Sequence, residues 1–339
     1  MSRAFLPGLL TLVGIGALAS CSDEQRNAPT APTSNITPRS ATSASLRPGL
    51  APLLVDGAAF PCVGGETVLL IQDVTPWFSP PNQDPAGADV TELKAQGKQF
   101  CMINSDQIGT TDLTVFPEIL IAAAQLPTFY DNLFPNGTVR QSISDYVNQG
   151  GILSANLTDF FPVGGWQGDV FVGGLQHTSY GSEENLIAAQ SHPIIVDELP
   201  CGPTGHCGPI VDAGIRDDLD GWDFSSHGYF TNLPDGTQLI LVDELNRPVM
   251  IEYAFGAGDV IATLTTTEWR YAQDAGIDPQ FRKLLANEIA YQDFRAAGCV
   301  GASLVSSASP SRLAAARPAG AARGGALRAG QPRPQWGGC

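Results

Sequence analysis

Thr67-Val-Leu-Leu-Ile-Gln-Asp73 is an unbroken apolar run that ends on a carboxylate. A strand with one wet face alternates apolar and polar residues. A run of this kind instead belongs to a strand covered on both faces, as in a parallel sheet flanked by helices. The segments that follow repeat the theme. Residues 89–96 can form a helix stopped by Gly97, Phe100-Cys-Met-Ile-Asn104 is a second strand, and Glu118-Ile-Leu-Ile-Ala-Ala-Ala124 is a third. Over 138–149, Val139, Ile143, Tyr146 and Val147 share one helical face before Gly150-Gly151 ends the helix. Ile152-Leu-Ser-Ala-Asn156 is then a fourth strand. This alternation predicts an α/β fold, an open and mainly parallel sheet with right-handed crossovers and helices on both faces. The second half is richer in strands, over 170–175, 238–242, 249–253 and 260–266, with Arg247-Pro248 and Gly256-Ala-Gly258 as hairpin turns. Asp278 caps a closing helix that has Pro279 in its first position and Phe281, Leu284, Leu285 and Ile289 as its buried stripe.

Composition bounds the rest. The 339 residues are 43% hydrophobic and 15% charged, enough to build a core and too apolar for a wholly disordered chain. The formal charge is −16, and between Phe60 and Cys299 nine Lys and Arg face thirty-one Asp and Glu. Such a body repels polyanions, so nucleic acid is not an expected partner.

The two ends read differently from the middle. In residues 1–20, Arg3 and the amino terminus supply positive charge ahead of a short apolar core from Phe5 to Leu18. Leu18-Ala19-Ser20-Cys21 resembles a bacterial lipobox, which implies cleavage before Cys21 and lipidation of its thiol. Ordinary cleavage after Ala17-Leu18-Ala19 is the alternative. Ser22, with Asp23 after it, departs from the Asp-next-to-Cys pattern of inner-membrane retention, so the expected location is the cell envelope, lipid-anchored, with the outer membrane favoured. Residues 21–58, rich in Ser, Thr, Pro and Ala, read as a disordered tether, and 59–299 as the folded domain. Residues 300–339 carry Arg312, Arg317, Arg323, Arg328 and Arg333 without an acid. They read as a basic arm or as a solvated low-complexity tail; the arginines follow no helical period, which favours the tail.

Seven cysteines are present, and an exported chain can oxidise them. With Cys21 assigned to lipid, Cys201 and Cys207 flank a short turn that a disulfide could close. Cys62 and Cys299 lie at the two ends of the domain and are expected to bridge. Cys101 reads as a buried free thiol inside a strand, and Cys339 lies on the tail. Cys201, His206 and Cys207 could also serve a metal, but they lack a defined fourth ligand.

Ligands of open parallel sheets bind beyond the carboxyl ends of the strands, where strand order switches. This criterion collects Asp73, Trp77, Asp106, Gln125, Asn156 and Asp159. Trp77 could form an apolar wall or a sugar-stacking platform, or simply pack its own loop. Ser225-Ser226-His227 sets a hydroxyl beside an imidazole, although sequence neighbours rarely hold the orientation a base requires. No Gly-x-Ser-x-Gly elbow occurs. Asp217, Asp218, Asp220 and Asp223 are similar to a calcium loop, but the register is broken at Arg216; no cofactor is expected, an ordinary solvated turn being favoured over structural calcium there.

The order of these features carries a family resemblance. A first strand ends in Asp73, another is followed by Gln125, and a helix ends in Tyr146-Val-Asn-Gln-Gly-Gly151 with a strand straight after. Ser191-His-Pro-Ile194, Pro248-Val-Met-Ile-Glu-Tyr253 and Gly256-Ala-Gly-Asp-Val-Ile-Ala-Thr263 come later. Over about 67–294 the chain resembles the class I glutamine amidotransferase-like superfamily, in its non-amidotransferase, trehalose-utilisation-like branch. The resemblance implies a flavodoxin-like or amidotransferase-like sheet. True amidotransferases of this superfamily set a nucleophilic Cys on a sharp turn after the strand matching 152–155. Here that place reads Ala155-Asn156-Leu157-Thr158, and His192 lacks the expected His-x-Glu partner. Without a thiolate and base, acyl transfer from glutamine has no starting group. The expectation is a catalytically empty domain that binds a small polar ligand or an envelope protein. The alternative is an extracytoplasmic hydrolase acting on carbohydrate, with Asp73 and Asp106 as carboxylates and His227 as base.

Overall fold

The computed structural model describes residues 59–77, 84–159, 165–166, 168–196, 199, 208–210, 225–273 and 279–298. Residues 1–58 and 299–339 lie outside these residues, as do Cys201, Cys207, Asp217–Asp223 and Asp278.

In chain order the elements are β1 (Val68–Ile71), α1 (Ala88–Ala95), β2 (Phe100–Ile103), β3 (Glu118–Ile121), α2 (Pro127–Leu133), α3 (Gln141–Asn148) and β4 (Ile152–Asn156). They continue as β5 (Gln176–Ser182), β6 (Asn185–Ile187), α4 (Pro193–Val196), β7 (Ser226–Thr231), β8 (Gln238–Asp243), β9 (Pro248–Phe255), β10 (Gly258–Thr263), α5 (Thr267–Gln273) and α6 (Pro279–Ala296). One eight-stranded sheet runs β2-β1-β3-β4-β10-β9-β8-β6, and β5 pairs with β7 in a separate ribbon. The pairs from β2 through β10 are parallel; β9, β8 and β6 extend the sheet antiparallel. The α/β class and the strand-rich second half read from the sequence are the ones observed.

The period of two explains the apolar runs. Leu69, Ile71, Cys101, Ile103, Ile119, Ile121, Leu153 and Ala155 turn to a core shared with α2 and α3. Val68, Leu70, Met102 and Leu120 turn to the other face, against α1, Tyr271 of α5 and Leu285 and Ile289 of α6. Alternate residues thus enter opposite cores, which is why apolar residues follow one another without a polar alternation. α6 is buried on more than one stripe, because Phe281, Leu284 and Tyr291 pack into a third cluster with α4, β8, β9 and β10. At the β9–β10 turn, Gly256 has φ +63°, and a Cβ there would stand 2.6 Å from the Asn148 backbone. Only glycine lets the hairpin close over the end of α3.

Four expectations change. Residues 170–175 form a one-turn 3-10 helix, Val172–Gly174, with Gly173 at φ +73° and Gly174 at +88°; the strand begins afterwards, at Gln176. The two left-handed glycines break the extension, and Phe171, Val172 and Leu175 are buried from a turn instead. The third strand stops at Ile121, and β10 stops at Thr263. The third change is at the helix expected over 138–149: Thr138 bridges to Val170, so α3 starts only at Gln141.

The fourth is covalent. Cys62 bonds Cys101, with Cα atoms 5.0 Å apart, so Cys101 is not a free thiol and Cys62 does not bridge to Cys299. The segment ahead of β1 folds back along the edge strand β2. Met102 N–H donates to Phe60 O at 2.9 Å, and the Phe60 and Phe100 rings meet at 5.4 Å. This pairing brings Cys62 over the sheet edge beside Cys101. The loop closed spans 39 residues. Cys62→Ser is expected to cost about 4 kcal/mol and lower Tm by roughly 10 °C, read by thermal unfolding. A Cys62–Cys299 peptide in a non-reducing digest would overturn the assignment.

Candidate functional site

Strand order switches between β1 and β3, so their carboxyl ends frame the expected crevice. Gln125 fills it. Its Oε1 accepts from the N–H groups of Asp73 (2.7 Å) and Val74 (3.0 Å), and its Nε2 donates to the carbonyls of Val74 (3.0 Å) and Ala123 (2.7 Å). Its amide is fully committed, and the residue is 0% exposed. Gln125 is therefore a strut between two strand exits and offers nothing to a ligand.

Asp73, half-buried, is also committed. Ser105 donates to it twice, from N–H to Oδ1 and from Oγ to Oδ2, both at 2.7 Å. Asn132 Nδ2 in turn donates to Ser105 Oγ at 3.0 Å. Asp106, the neighbour of Ser105 in a one-turn 3-10 helix, is exposed. The structure thus gives Asp73 to Ser105 and leaves Asp106 facing solvent.

Asn156 ends β4 with its backbone outside the left-handed region, so this exit has no nucleophile elbow. Its Nδ2 donates to Glu268 Oε1 (3.1 Å) and its Oδ1 accepts from Thr158 Oγ1 (2.7 Å). Just beyond, Asp159 meets His227 of β7. His227 Nδ1 lies 2.9 Å from the Asp159 carbonyl oxygen and 3.1 Å from Asp159 Oδ1. A carbonyl oxygen can only accept, so Nδ1 carries a proton. The Trp77 and His227 rings meet edge to face, their centres 6.2 Å apart at 90°. Trp77 holds φ +44°, a conformation unusual for a bulky residue and one that the surrounding fold must enforce.

The back of this corner is aromatic. Trp166 donates to Leu157 O at 2.8 Å and stacks on His177 with ring centres 4.2 Å apart. Burial pushes the His177 imidazole down to about 4, so it is neutral and packs as an aromatic ring. Gly165 admits Asp159, since a Cβ there would stand 2.5 Å from Asp159 Cβ. Of the sequence candidates, Trp77, Asp159 and His227 come together; Gln125, Asn156 and Asp73 hold the backbone of the strand exits, and Asp106 stands apart. Trp166 and His177 were not singled out by sequence, because only the return of β5 beside β7 brings them to the corner.

His192 does have a carboxylate. Its Nε2 lies 2.7 Å from Glu252 Oε2, with the two side chains 1% and 2% exposed. The partner comes from the middle of β9, so the His-x-Glu spacing is absent from the sequence while a histidine–carboxylate pair is present in the fold. Tyr291 donates to Glu252 Oε1 at 2.9 Å, and Arg295 pairs with Asp259. Burial and the Glu252 charge push Asp259 up to about 8, while the hydrogen bond and charge of His192 help hold Glu252 at about 2. This closed network ties α6 to β9 and β10.

Among the described residues no group of three or more His, Cys, Asp or Glu is arranged to hold a metal ion. Asp217, Asp218, Asp220 and Asp223, like Cys201, His206 and Cys207, lie outside those residues. A cavity of about 390 Å³, lined by Val115, Phe116, Pro117, Tyr146, Gly150 and Gly151 among others, opens at the amino edge of the sheet, away from the Trp77 corner.

No protein-family model matches the chain. An uncharacterized protein of Clostridium acetobutylicum is 30% identical over 226 residues, 66% of this chain and 20% of that protein. The chain therefore spans about a fifth of the length of this curated relative. Three solved structures are similar at low identity. A cytoplasmic protein of Salmonella typhimurium has 13% identity and a TM-score of 0.39, over 66% of this chain and 98% of that one. A GMP synthase-like protein of Thermoplasma acidophilum has 12% identity and a TM-score of 0.35, over 68% and 98%. The exo-β-1,4-mannosidase of Opitutaceae bacterium strain TAV5 has 15% identity and a TM-score of 0.39, over 67% and 36%. At these values the likeness assigns no activity.

Two outcomes follow from the geometry. Gln125→Ala orphans two N–H groups and two carbonyls and is expected to cost roughly 2–4 kcal/mol, measured by urea unfolding. The His227 ring is expected to carry a proton on Nδ1 in nitrogen-15 spectra; an unprotonated Nδ1 would contradict the Asp159 contacts.

Proposed function

We propose that the chain is a lipid-anchored protein of the cell envelope, held through Cys21, whose α/β domain binds a small polar ligand without covalent chemistry. The observation that carries this reading is the Asp159–His227 pair beneath Trp77 at the carboxyl edge of the sheet. A partly exposed indole beside an imidazole and a carboxylate suits a hydroxyl-rich molecule, whose ring stacks on aromatic surface while its hydroxyls meet polar groups. The β4 exit carries no thiol and no strained elbow, in line with binding rather than acyl transfer. The Leu18-Ala-Ser-Cys21 leader and the Cys62–Cys101 disulfide both suit an exported protein.

The second reading is a hydrolase acting on extracytoplasmic carbohydrate. The carboxylate on His227 Nδ1 favours it, because such a partner fixes the tautomer a general base needs. In that case Asp159 is the supporting acid, in place of Asp73 and Asp106.

A thermal-shift panel on the mature chain with sugars and peptidoglycan fragments tests both. A ligand at about 100 times its Kd is expected to raise Tm by roughly 5–10 °C, and Trp77→Ala or His227→Ala to abolish the shift. Release of product lost in Asp159→Asn would establish the hydrolase. No shift with any sugar sinks the small-ligand reading and leaves an envelope protein as the partner. Cys21→Ser is expected to move the protein from the membrane fraction to the soluble one; an unchanged distribution rules out the anchor.

A further inference from the structure

The cavity at the amino edge of the sheet is not used by the proposed site. Its volume of about 390 Å³ is that of a ligand pocket, and two helices end on it. Gln149 and Gly150, which close α3, line it, and so does Ala296, the last residue of α6. Each helix turns the negative end of its dipole to this place, roughly half an elementary charge. An acid without a donor stands beside the wall. Pro117 lines the cavity and Glu118 follows it; Glu118 is 2% exposed, and its Oε2 is buried and receives no hydrogen bond from the described residues. The cations of the neighbourhood are engaged elsewhere, Lys98 with Asp293 and Arg295 with Asp259. Among the described residues, those lining the cavity include no Lys or Arg.

The chain carries the missing charge in its own sequence. Because α6 ends on the cavity, residues 299–339 set out from its rim, and they hold five arginines and no acid. The first, Arg312, comes fourteen residues after Gly298, a stretch that spans up to about 46 Å when extended and so can turn back. Closing a loop costs more as it lengthens, which favours this arginine over the later four. It is also the one followed by a large apolar residue, Leu313, while Val115 at the mouth of the cavity is 63% exposed. We propose that Arg312 docks in this cavity, its guanidinium at the ends of α3 and α6 beside Glu118 and its neighbour Leu313 over Val115. The basic segment after α6 is then a ligand of its own domain, and an outside cation enters only by displacing it.

The chemistry favours a guanidinium. It is planar, presents several N–H donors at once and sheds its water more readily than an ammonium, so it suits a partly enclosed place with carbonyl and carboxylate acceptors. The state of Glu118 agrees. Burial pushes its carboxyl up to about 7, with the Lys98 charge opposing, and its own charge is felt at the Tyr146 hydroxyl on the cavity wall. A second cation beside it draws the carboxyl back toward its ordinary range.

The test is limited trypsin cleavage of the full chain, with each rate divided by that of the same bond in a synthetic peptide of residues 300–339. It involves no added ligand, so it stands or falls apart from the binding reading. Cleavage after Arg312 is expected to be slowed at least tenfold and cleavage after Arg323 hardly at all. Glu118→Gln removes the buried acid and Thr114→Lys sets a like charge at the exposed mouth; both are expected to release Arg312. Thr114→Lys serves if Glu118→Gln does not fold. In nitrogen-15 spectra Arg312→Gln is expected to shift the Gly150 and Gly151 amides, which places the contact at this cavity. Equal slowing at Arg312 and Arg323, slowing that survives Thr114→Lys, or unmoved glycine amides would each overturn the docking. Slowing that grows with chain concentration would overturn it too, by assigning the cavity to the arm of a second copy.

Discussion

Both faces of the parallel sheet are covered, so the backbone groups released where its strands end have little water to turn to. An unpaired buried N–H or carbonyl costs more than most single contacts return, and side chains must therefore supply the missing donors and acceptors. Gln125 does so between β1 and β3, Asn156 and Thr158 do so after β4, and Glu268 reaches across from α5 to join the two. The residues that a strand-end rule selects as ligand candidates are thus largely the ones the fold needs for itself. What remains for a ligand lies further out, where Trp77 and His227 lean over Asp159.

This division of labour bears on the amidotransferase-like resemblance. The resemblance would put a thiolate on a sharp turn after the strand matching 152–155, whereas here Asn156 at that place is outside the left-handed region and tied to Glu268. The histidine–carboxylate pair exists, but it is sealed inside the junction of α6 with β9 and β10, where it binds secondary structure together. The sheet is of the expected kind, while its polar residues satisfy backbone and join helices to strands.

The legibility of these features follows the range of the forces behind them. β1, β2, β4 and α6 were readable because burial on two faces and a proline at the first helical position act within a few residues. Val170–Leu175 misled because apolar content mimicked a strand, while two glycines with positive φ decided the backbone. Glu252 as the partner of His192, 60 residues away, was beyond local pattern altogether. The Cys62–Cys101 bond was equally hidden: it depends on the chain doubling back along the sheet edge, which no spacing of cysteines encodes. At the candidate corner Trp77, Asp159 and His227 were each named from sequence. Their assembly was not, since β7 must reach the main sheet through the Ser226–Thr265 bridge before His227 can meet Asp159.

That doubling back has a mechanical side. Tension applied to the chain ahead of Phe60 meets the covalent link at Cys62 before it reaches β1 in the interior of the sheet. The load passes into β2, which is pulled along the direction of its parallel partner, so that its hydrogen bonds resist together in shear instead of opening one by one. Residues 63–67 stay slack. The domain is fastened to whatever precedes it by its rim, and its central strands are insulated from the pull.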